Sequence, residues 1–509
     1  MSKFSKIYFT WAVSLLFGTT AGFANVTNAN VWENWQSYIT SMGHEISANE
    51  SVSGNVLTIT DVKIEINFAL GNDSINAKIL EIQFTEQGDG SVRISIPEKS
   101  IFEVDLTLES GEAVSASIGY NQDGLNMVVT GDPDNFNYAY SANALDITLD
   151  SLTVDDETIG PDFARAKVSL TDVTVNSTTL TSELREYSQS GSIGLITYDV
   201  AFSDPETGGT IKIDGALQEL ASNSLGSIPN TGIKAQDVAT MLDAGFAVNS
   251  TASYQAGNMD IAFNGPDGAG TATTSSTGGE IGFTMDGNGL RYSIDQDNLA
   301  INALMPDVPL PITLNMATSK FNVTIPLRKS DDEQDFAFGF MMGDFAVSDM
   351  LWSMFDPAAN LPHNPATFAV DLSGKAKVLF DLFDPDQAAA LESSGAAPGE
   401  LNALSLNSLI VDAVGARLTA TGDFTFDNTD LVSFEGMPRP TGGINLKLVG
   451  GNGLLDNLVN MGILPEQQAM GARMMMGLFA RAGTNPDTVT SKIEINDAGH
   501  ILANGQRIQ

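Results

Sequence analysis

Few residues of this 509-residue chain stand at spacings that could carry chemistry. Histidine occurs at His44, His363 and His500, and His44 lacks the second histidine four residues later that a zinc-binding helix requires. Cysteine is absent, which excludes disulfides, thiolate metal sites and cysteine nucleophiles. The sequence also lacks a Gly-x-Ser-x-Gly elbow and the glycine-rich loops that hold nucleotide phosphates. We therefore expect no enzymatic activity and no cofactor.

Acid-rich turns are the next candidates, because carboxylate oxygens are the ligands that calcium prefers. They lie at residues 132–134, 295–297, 331–335 and 384–386. None of them has the alternating spacing of a calcium-binding loop, and acidic residues are common in solvent-facing turns. A hydrolase that uses two carboxylates is a further alternative, although the sequence singles out no pair. We predict no metal site.

Methionine is the over-used residue that could carry a binding function. Nine of its 18 copies lie within residues 341–354 and 461–476. Flexible thioethers suit adaptable apolar ligand surfaces, and they also fill cores between helices and sheets. The binding alternative predicts an apolar ligand site formed by Met341, Met342, Trp352, Met470, Met474 and Met475. The structural alternative predicts that the same residues lie in a filled core.

The overall charge restricts the partners. Lys and Arg total 24 against 63 Asp and Glu, which gives a formal net charge of -39. So acidic a chain repels nucleic-acid phosphates and anionic headgroups at long range. We expect no nucleic acid as partner, and instead a lipid held by apolar contacts or another envelope protein. The charge fits either a soluble secreted surface or a diffuse surface for divalent cations.

The first residues have the pattern of a secretory signal peptide. Two lysines precede an apolar run from Ile7 to Phe17, and small residues stand at positions 22 and 24. We predict a signal peptide at residues 1–24 and a periplasmic mature protein. The alternative is an uncleaved anchor, because residues 7–24 approach the roughly 17 to 25 residues of a membrane-spanning helix. No later stretch is apolar enough to predict a second span.

Apolar and polar residues alternate through most of the mature chain. Asn55 to Thr60, Lys63 to Phe68 and Ala77 to Thr85 show this period of two, with glycine-containing turns between them. Closely spaced turn signals favour hairpins over parallel units with crossover helices. The sequence predicts a mainly β fold, an extended and twisted antiparallel sheet of hairpins and meanders with a few short capping helices. The predicted regions are a signal peptide at 1–24 and β regions at 25–225, 226–400 and 401–509.

Breaks in the alternation predict loops and helices. Small polar residues, glycine and proline at residues 221–231 predict a soft boundary, and Gly265 to Glu280 predicts a flexible loop or a weak edge hairpin. Pro309 and Pro311 exclude a central strand at their positions. Short helices are expected at residues 30–43, 235–244, 348–356, 384–392, 454–461 and 464–481.

Two further patterns are relevant to the fold. Trp32 and Trp35 lie on the apolar stripe of the first helix, which suits either a membrane or ligand surface or a helix docked on a sheet. The phrase Leu-Thr-Ile-Thr-Asp-Val at residues 57–62 returns loosely at residues 168–173 and 404–409. Because the period between these phrases is not fixed, they predict similar hairpins rather than a sequence repeat.

Three blocks of residues carry a resemblance to a known family. The blocks are Val31-Trp32 with Trp35 and Gly43, Leu351-Trp352 through Phe355-Asp356-Pro357 with Leu361-Pro362 and Pro365-Ala366-Thr367, and Gly499 with Asn504-Gly505-Gln506. With them the chain resembles a domain-of-unknown-function family of secreted envelope proteins from Gram-negative bacteria, from about residue 30 to the C-terminus. That family has no assigned activity, so the resemblance implies localisation and fold but no site.

A weaker resemblance concerns the C-terminal part. Leu404 to Phe426 and the closing Gly499 to Gly505 are similar to the C-terminal sections of AsmA-like and YdgA-like envelope proteins. This resemblance implies a long curved sheet whose apolar inner face carries lipid, although the chain lacks their clear membrane anchor. Our leading hypothesis is a non-catalytic binding or structural component of the envelope that accommodates an apolar ligand such as lipid. The alternatives are a structural or protein-interaction module with a filled core, and a hydrolase that uses carboxylates.

Overall fold

The fold was described from a computed structural model. It describes residues 26–67, 74–107, 113–155, 157–204, 207–230, 238–381 and 397–508, together with residues 384, 387, 391 and 393. Strands account for 66% of the residues and helices for 12%, and the described strands form one large antiparallel sheet. This confirms the predicted mainly β fold with short helices. The predicted signal peptide lies outside the described residues.

The sheet contains 27 strands within the described part of the chain. The first strands are β1 (Glu45–Ser53), β2 (Val56–Asn67), β3 (Ser74–Glu86), β4 (Val92–Ser95), β5 (Lys99–Thr107), β6 (Ala113–Asp123), β7 (Asn126–Asp132), β8 (Asn135–Val154) and β9 (Glu157–Ile159). The central strands are β10 (Ala164–Thr181), β11 (Leu184–Ser203), β12 (Thr210–Pro229), β13 (Ala247–Tyr254), β14 (Ala256–Gly265), β15 (Gly268–Ser276), β16 (Gly278–Asp286), β17 (Gly289–Met305) and β18 (Val308–Ile325). The last strands are β19 (Gln334–Val347), β20 (Ala366–Val378), β21 (Gly399–Ala413), β22 (Ala416–Asp427), β23 (Arg439–Val449), β24 (Arg481–Ala482), β25 (Thr488–Ile495), β26 (Ile501–Ala503) and β27 (Gln506–Arg507).

The longest described helices have 14 residues. The described helices are α1 (Asn28–Ser41), α2 (Val238–Asp243), α3 (Asp349–Phe355), α4 (Gly451–Asn460) and α5 (Glu466–Phe479). Among the described residues, no helix is long and apolar enough to cross a membrane. The helix predicted at residues 384–392 lies largely outside the described residues, although Asp384 Oδ1 accepts a hydrogen bond from Gln387 N as expected of its cap.

Long strands change their alternation once, near the middle. Ile59 and Val62 of β2 are both buried although they are three residues apart. Between them Asp61 has a φ of 52°, and such an extra residue in a strand, a β-bulge, returns the alternation to the same face. Asp172 of β10 has a φ of 54° in the same setting. The sequence phrases at residues 57–62 and 168–173 therefore each contain a bulge of the same kind, at Asp61 and Asp172.

These bulges lie on one line across the sheet, which we name the bulge seam. Its positive-φ residues are Asp61, Asp172, Glu219, Asn298 and Asp344. The register skips Asp172 and the facing Gly194 between the pairs Thr171–Leu195 and Val173–Ile193, and Glu219 faces Gly194 on the next strand. On the same line some long strands are interrupted outright, between β4 and β5, β6 and β7, β13 and β14, and β15 and β16. Each pair behaves as one long strand bent at the seam.

The main core lies under α1. Phe84 of β3 is fully buried, with its ring 6.0 Å from the ring of Trp32 and 5.3 Å from that of Trp35. Trp32 is itself buried, and its Nε1 donates to Glu50 Oε1 at 2.7 Å. The core alternative is therefore confirmed for Trp32. The helix was predicted at residues 30–43 and begins two residues earlier, at Asn28, because Thr27 caps it in a capping box.

Two stretches predicted as irregular are strands. Residues 221–229 continue β12, and Gly268 to Ser276 form β15, which is paired on one side with β14 and on the other with β17. Neither stretch is a loop or an edge strand, so the prediction of a flexible loop or weak edge hairpin was wrong. Their glycines make room for aromatic rings, since a Cβ on Gly270 would lie 2.3 Å from the Phe263 ring. The predicted domain limits themselves stay a prediction.

Other sequence signals were close to the structure. Pro311 lies in the part of β18 that pairs with β17 but extends beyond β19, so it occupies an edge position as expected. Ser348 stands at the N-cap of α3, and Asp356 follows its last residue. The final helix α5 was predicted at residues 464–481 and runs from Glu466 to Phe479.

Candidate functional site

One apolar face runs along the whole sheet. Residues that pair directly across strands share a face, so the register traces it from strand to strand. In the part under α1 it passes through Leu57, Phe84, Ile94, Met127 and Tyr140. It continues through Val175, Gly191, Ser222 and Ala252. It then follows Ile281, Ile294, Phe321, Phe340, Val370, Leu409, Ala420 and Leu446. We name this surface the apolar face.

Beyond β16 the apolar face is open. A second row beside the first contains Tyr292, Val323, Phe338, Leu372 and Leu406. The rings confirm that both rows share a face, because Phe321 lies 6.3 Å from Tyr292 and 5.9 Å from Phe338. Ile281 is 40% exposed, Phe338 38% and Phe340 37%. We name β1 to β8 with α1 the covered region, and β16 to β23 the open region.

The open region is long compared with an acyl chain. Eight adjacent strands at about 4.8 Å spacing give about 34 Å. One leaflet of a bilayer contributes about 15 Å of hydrocarbon. Strands β17 to β23 each pair with a neighbour on both sides, so their backbone groups are already used by the sheet. What this surface offers a ligand is therefore apolar contact.

The opposite face is polar. In the row next to Phe340, Met341 of β19 pairs with Lys320, which in turn pairs with Asp295. Lys320 Nζ lies 2.9 Å from Asp295 Oδ2. Met341 therefore lies among charged neighbours, whereas Met342 shares the apolar face with its partner Phe368. The structure separates two residues that the sequence analysis placed in one site.

Trp352 lines a cavity on the apolar face, at the place where β19 and β21 end and β20 begins. The cavity measures about 220 Å³. It is lined by Phe345, Ala346, Val347, Trp352, Phe355, His363, Asn364, Ala366, Phe368, Ala413 and Val414. Because Phe368 faces Met342, the structure brings Trp352 and Met342 close to one apolar site. A volume below the roughly 300 Å³ of compact ligand pockets suits the end of a chain.

A buried carboxylate holds the loop beside this cavity. The Trp352 ring stacks on His363 at 4.3 Å, and His363 Nε2 lies 3.4 Å from Asp356 Oδ2. Asp356 is buried and accepts hydrogen bonds from Asn360 N at 2.9 Å and Leu361 N at 2.6 Å. Burial raises the pKa of the Asp356 carboxyl, but these donors outweigh it and hold the pKa below its ordinary value. The Asp-Pro block of the sequence therefore has a structural role.

The methionines of α5 lie on the surface. Met470, Met474 and Met475 are 63%, 70% and 52% exposed, and the buried residue of this helix is Ala469. Helix α5 packs against α4, where Arg473 Nη2 contacts Asp456 Oδ1 at 2.5 Å. The six predicted residues therefore do not form one lined groove, and these three do not lie in a filled core.

The start of helix α4 nevertheless lies at the same ends of the strands as the Trp352 cavity. A Cβ on Gly450, just before α4, would lie 2.2 Å from the carbonyl oxygen of Gly415. A Cβ on Gly415 would lie 3.0 Å from Pro362 in the loop beside the cavity. The start of α4 also touches the apolar face, because a Cβ on Gly451 would meet Leu448 at 2.6 Å. The predicted methionines of α5 therefore stand near this end of the apolar face.

Other polar features lie away from the apolar face. A cleft of about 440 Å³ on the polar face includes Lys447, Arg481 and Lys492 in its lining. Asn504 also lines it and donates a hydrogen bond from Nδ2 to the carbonyl oxygen of Phe479, the last residue of α5. Within the described residues, no group of three His, Asp or Glu could hold a metal ion. In the acid-rich turn at residues 132–134, Asp132 Oδ1 accepts from two backbone amides of its own turn.

The fold and the site define a mainly antiparallel β protein with an apolar sheet face. Residues 198–503, more than half of the chain, match the family DUF2125, described as an uncharacterized protein conserved in bacteria, and the chain belongs to this family. The Trp block at residues 31–35 lies outside the match, which begins far beyond the predicted residue 30. None of the curated proteins matches the chain. No solved structure matches it either.

Proposed function

We propose that this protein is a non-catalytic component of the bacterial envelope that binds an acyl-chain ligand, such as a lipid, along the apolar face. The observation that carries the proposal is the exposure of Ile281, Phe338 and Phe340 on the face that is buried at Phe84, Ile94 and Met127 in the covered region. Removing such a surface from water stabilises the complex by about 25 cal/mol per Å². A hydrocarbon chain supplies this contact without needing hydrogen bonds.

Two further features support a lipid as the occupant. The Trp352 cavity suits a chain end, and Met342, which pairs with the cavity residue Phe368, supplies an adaptable apolar contact beside it. The net charge of -39 disfavours long-range attraction to an anionic membrane surface, so we assign the binding of the acyl chain to apolar contact. A periplasmic location, to which residues 1–24 would direct the chain, belongs to the same proposal.

Native mass spectrometry of the protein purified from the envelope fraction tests the proposal. We expect co-purifying species with the masses of lipids. The absence of any such species under mild extraction, together with no uptake of an added acyl probe, would contradict the proposal.

A matched pair of variants tests the surface. Phe340→Glu places a charge on the apolar face, and Met341→Glu places the same charge on the polar face one residue later. We expect Phe340→Glu to weaken binding of a neutral acyl probe by about tenfold or more, because a carboxylate must be desolvated under the chain. Met341→Glu should bind like the wild type. Equal losses in the two variants would argue against the apolar face as the binding surface.

A further inference from the structure

One arginine lies on the apolar face, at the boundary of the covered region. Arg185 of β11 pairs with Thr181 on one side and Ile228 on the other. Its guanidinium carbon lies 5.9 Å from the centre of the Tyr38 ring of α1. Because α1 covers the apolar face, the contact shows that Arg185 points to that face. The side chain is 1% exposed.

The buried guanidinium has unsatisfied donors. Nε and Nη1 of Arg185 meet no hydrogen-bond acceptor, and no ion pair to Arg185 is formed, within the described residues. A buried charge without a partner is among the most costly arrangements in a folded protein. Burial lowers the pKa of Arg185 below its ordinary value, and Tyr138 and Tyr38 offset part of this effect.

Buried hydroxyl groups follow one another on the neighbouring strand β10. The side-chain oxygens of Ser177, Thr179 and Thr181 are buried and meet no partner among the described residues. Thr181 pairs directly with Arg185, and Thr179 is the next residue of β10 on the same face. Hydroxyls can turn their hydrogens toward an anionic oxygen, as a guanidinium does. The group is therefore a set of donors that faces the apolar side of the sheet.

Other cations of the sheet are arranged differently. Arg165, Lys167 and Lys320 lie on the polar face and contact carboxylates of neighbouring strands at 2.7, 3.3 and 2.9 Å. Each of them is about half exposed. Arg185 differs from them in face, burial and the lack of a carboxylate partner within the described residues. This contrast suggests that its counter-charge comes from a bound molecule.

We propose that Arg185, assisted by Thr179 and Thr181, binds the anionic head group of the acyl ligand, a carboxylate or phosphate, while the chain extends along the apolar face toward the open region. The inference rests on the proposed function. Charge-assisted hydrogen bonds from arginine to such oxygens are short and strong, and arginine matches their geometry with two parallel donors. The Tyr38 ring would shield the pair from water.

Binding of palmitate and of its neutral methyl ester, measured by displacement of Nile red, tests the role of Arg185. We expect the wild type to prefer palmitate by about tenfold or more, because hydrogen bonds to charged groups are the strong ones. Arg185→Met should lose this preference and still bind the ester. The matched control is Arg165→Met, which removes an exposed cation from the neighbouring strand and should keep the preference.

The arms of this experiment separate the two proposals. If neither palmitate nor the ester binds, the proposed function fails. If the ester binds and wild type shows no preference for the acid, or if Arg185→Met retains the preference, the head-group inference alone is overturned. Lysophosphatidic acid compared with monoacylglycerol distinguishes a phosphate head from a carboxylate head. Displacement by inorganic phosphate alone, as effective as by the acyl ligands, would overturn the inference in favour of a small-anion site.

A second measurement uses the wild-type chain and does not depend on the folding of a variant. Palmitate carrying carbon-13 at its carboxyl group reports the pKa of the bound head group by NMR. Beside a guanidinium the charged form is favoured, so we expect the pKa of the bound carboxyl to fall below that of the free acid. A bound carboxyl whose pKa is unchanged or raised would overturn the inference.

Discussion

The covered region and the open region present the same apolar face to different surroundings. In the covered region the face packs beneath α1, and Phe84 and Tyr138 are fully buried. In the open region the corresponding rows contain Phe338 and Phe340, which are more than a third exposed. Strand pairing, bulges and alternation are alike in both. The difference therefore lies in what covers the sheet and not in how the sheet is made.

This contrast shows how one sheet can combine stability with an accessible apolar surface. Burial under α1 supplies a packed core at the N-terminal end, where rings contact each other from helix and sheet. The open region depends on its pairing ladder and on ring contacts within the sheet, such as that of Phe321 with Phe338. Arg185 lies on β11, between the covered region and the open region.

The largest effect is expected from truncation of the core. Phe84→Ala should lower the free energy of unfolding by about 3 to 5 kcal/mol, because it opens a cavity between two tryptophans. Phe340→Ala should cost about 1 kcal/mol, since its ring is already partly in water. Urea unfolding followed by tryptophan fluorescence measures both. Equal losses would show that the open region is covered in solution.

A smaller effect is expected at the bulge seam, and there the two regions should respond alike. Asp61→Val and Asp344→Val place a β-branched residue at a φ of 52° and 50°. The left-handed conformation costs such a residue about 1 to 2 kcal/mol. Chemical denaturation of both variants should show similar losses. Asp344→Gly is the control, since glycine adopts a positive φ freely and should retain the stability of the wild type.

The smallest effect is expected from acid at the Asp356 loop of the open region. The folded-state pKa of Asp356 lies below its ordinary value of 3.8, so the charged form stabilises the loop at neutral pH. This stabilisation is complete above the unfolded pKa and is lost as the pH falls through the folded pKa. Trp352 fluorescence should therefore change as the pH falls below 3.8.

Asp356→Asn serves as the control for this titration. The amide keeps an oxygen that can accept from Leu361 N, but it carries no charge over the whole range. Its Trp352 fluorescence should stay constant where that of the wild type changes. An identical acid transition in both proteins would assign the change to another group.

Much of the fold could be predicted from local pattern. Alternation and turn residues are sufficient for strands such as β2 and β3 and for the antiparallel pairing of neighbours. The stretches at residues 221–229 and 268–276 could not be predicted, because glycines such as Gly226 and Gly270 favour a strand only when an aromatic ring of the next strand lies over them. Mid-strand bulges could not be predicted either, because a single aspartate such as Asp61 is also typical of turns.

The site was less accessible to sequence reasoning. Met341 and Met342 are adjacent in β19, so one must face each side of the sheet, and the sequence alone cannot say which. Arg185 was missed for the same reason, because its exposed neighbour Glu186 made the pair look like ordinary surface residues. The signal that could have found it is an arginine in phase with the apolar alternation of its strand.

The bulge seam has a mechanical consequence for an open sheet. A bulge bends its strand and increases the local twist, and here the bends of neighbouring strands lie side by side. We expect these aligned bends to make the sheet resist flattening, and its strands resist sliding past one another, even where no second layer packs on the sheet. The curvature of the apolar face is then set by backbone angles at residues such as Asp172 and Asn298, and it can persist whether a ligand is bound or not.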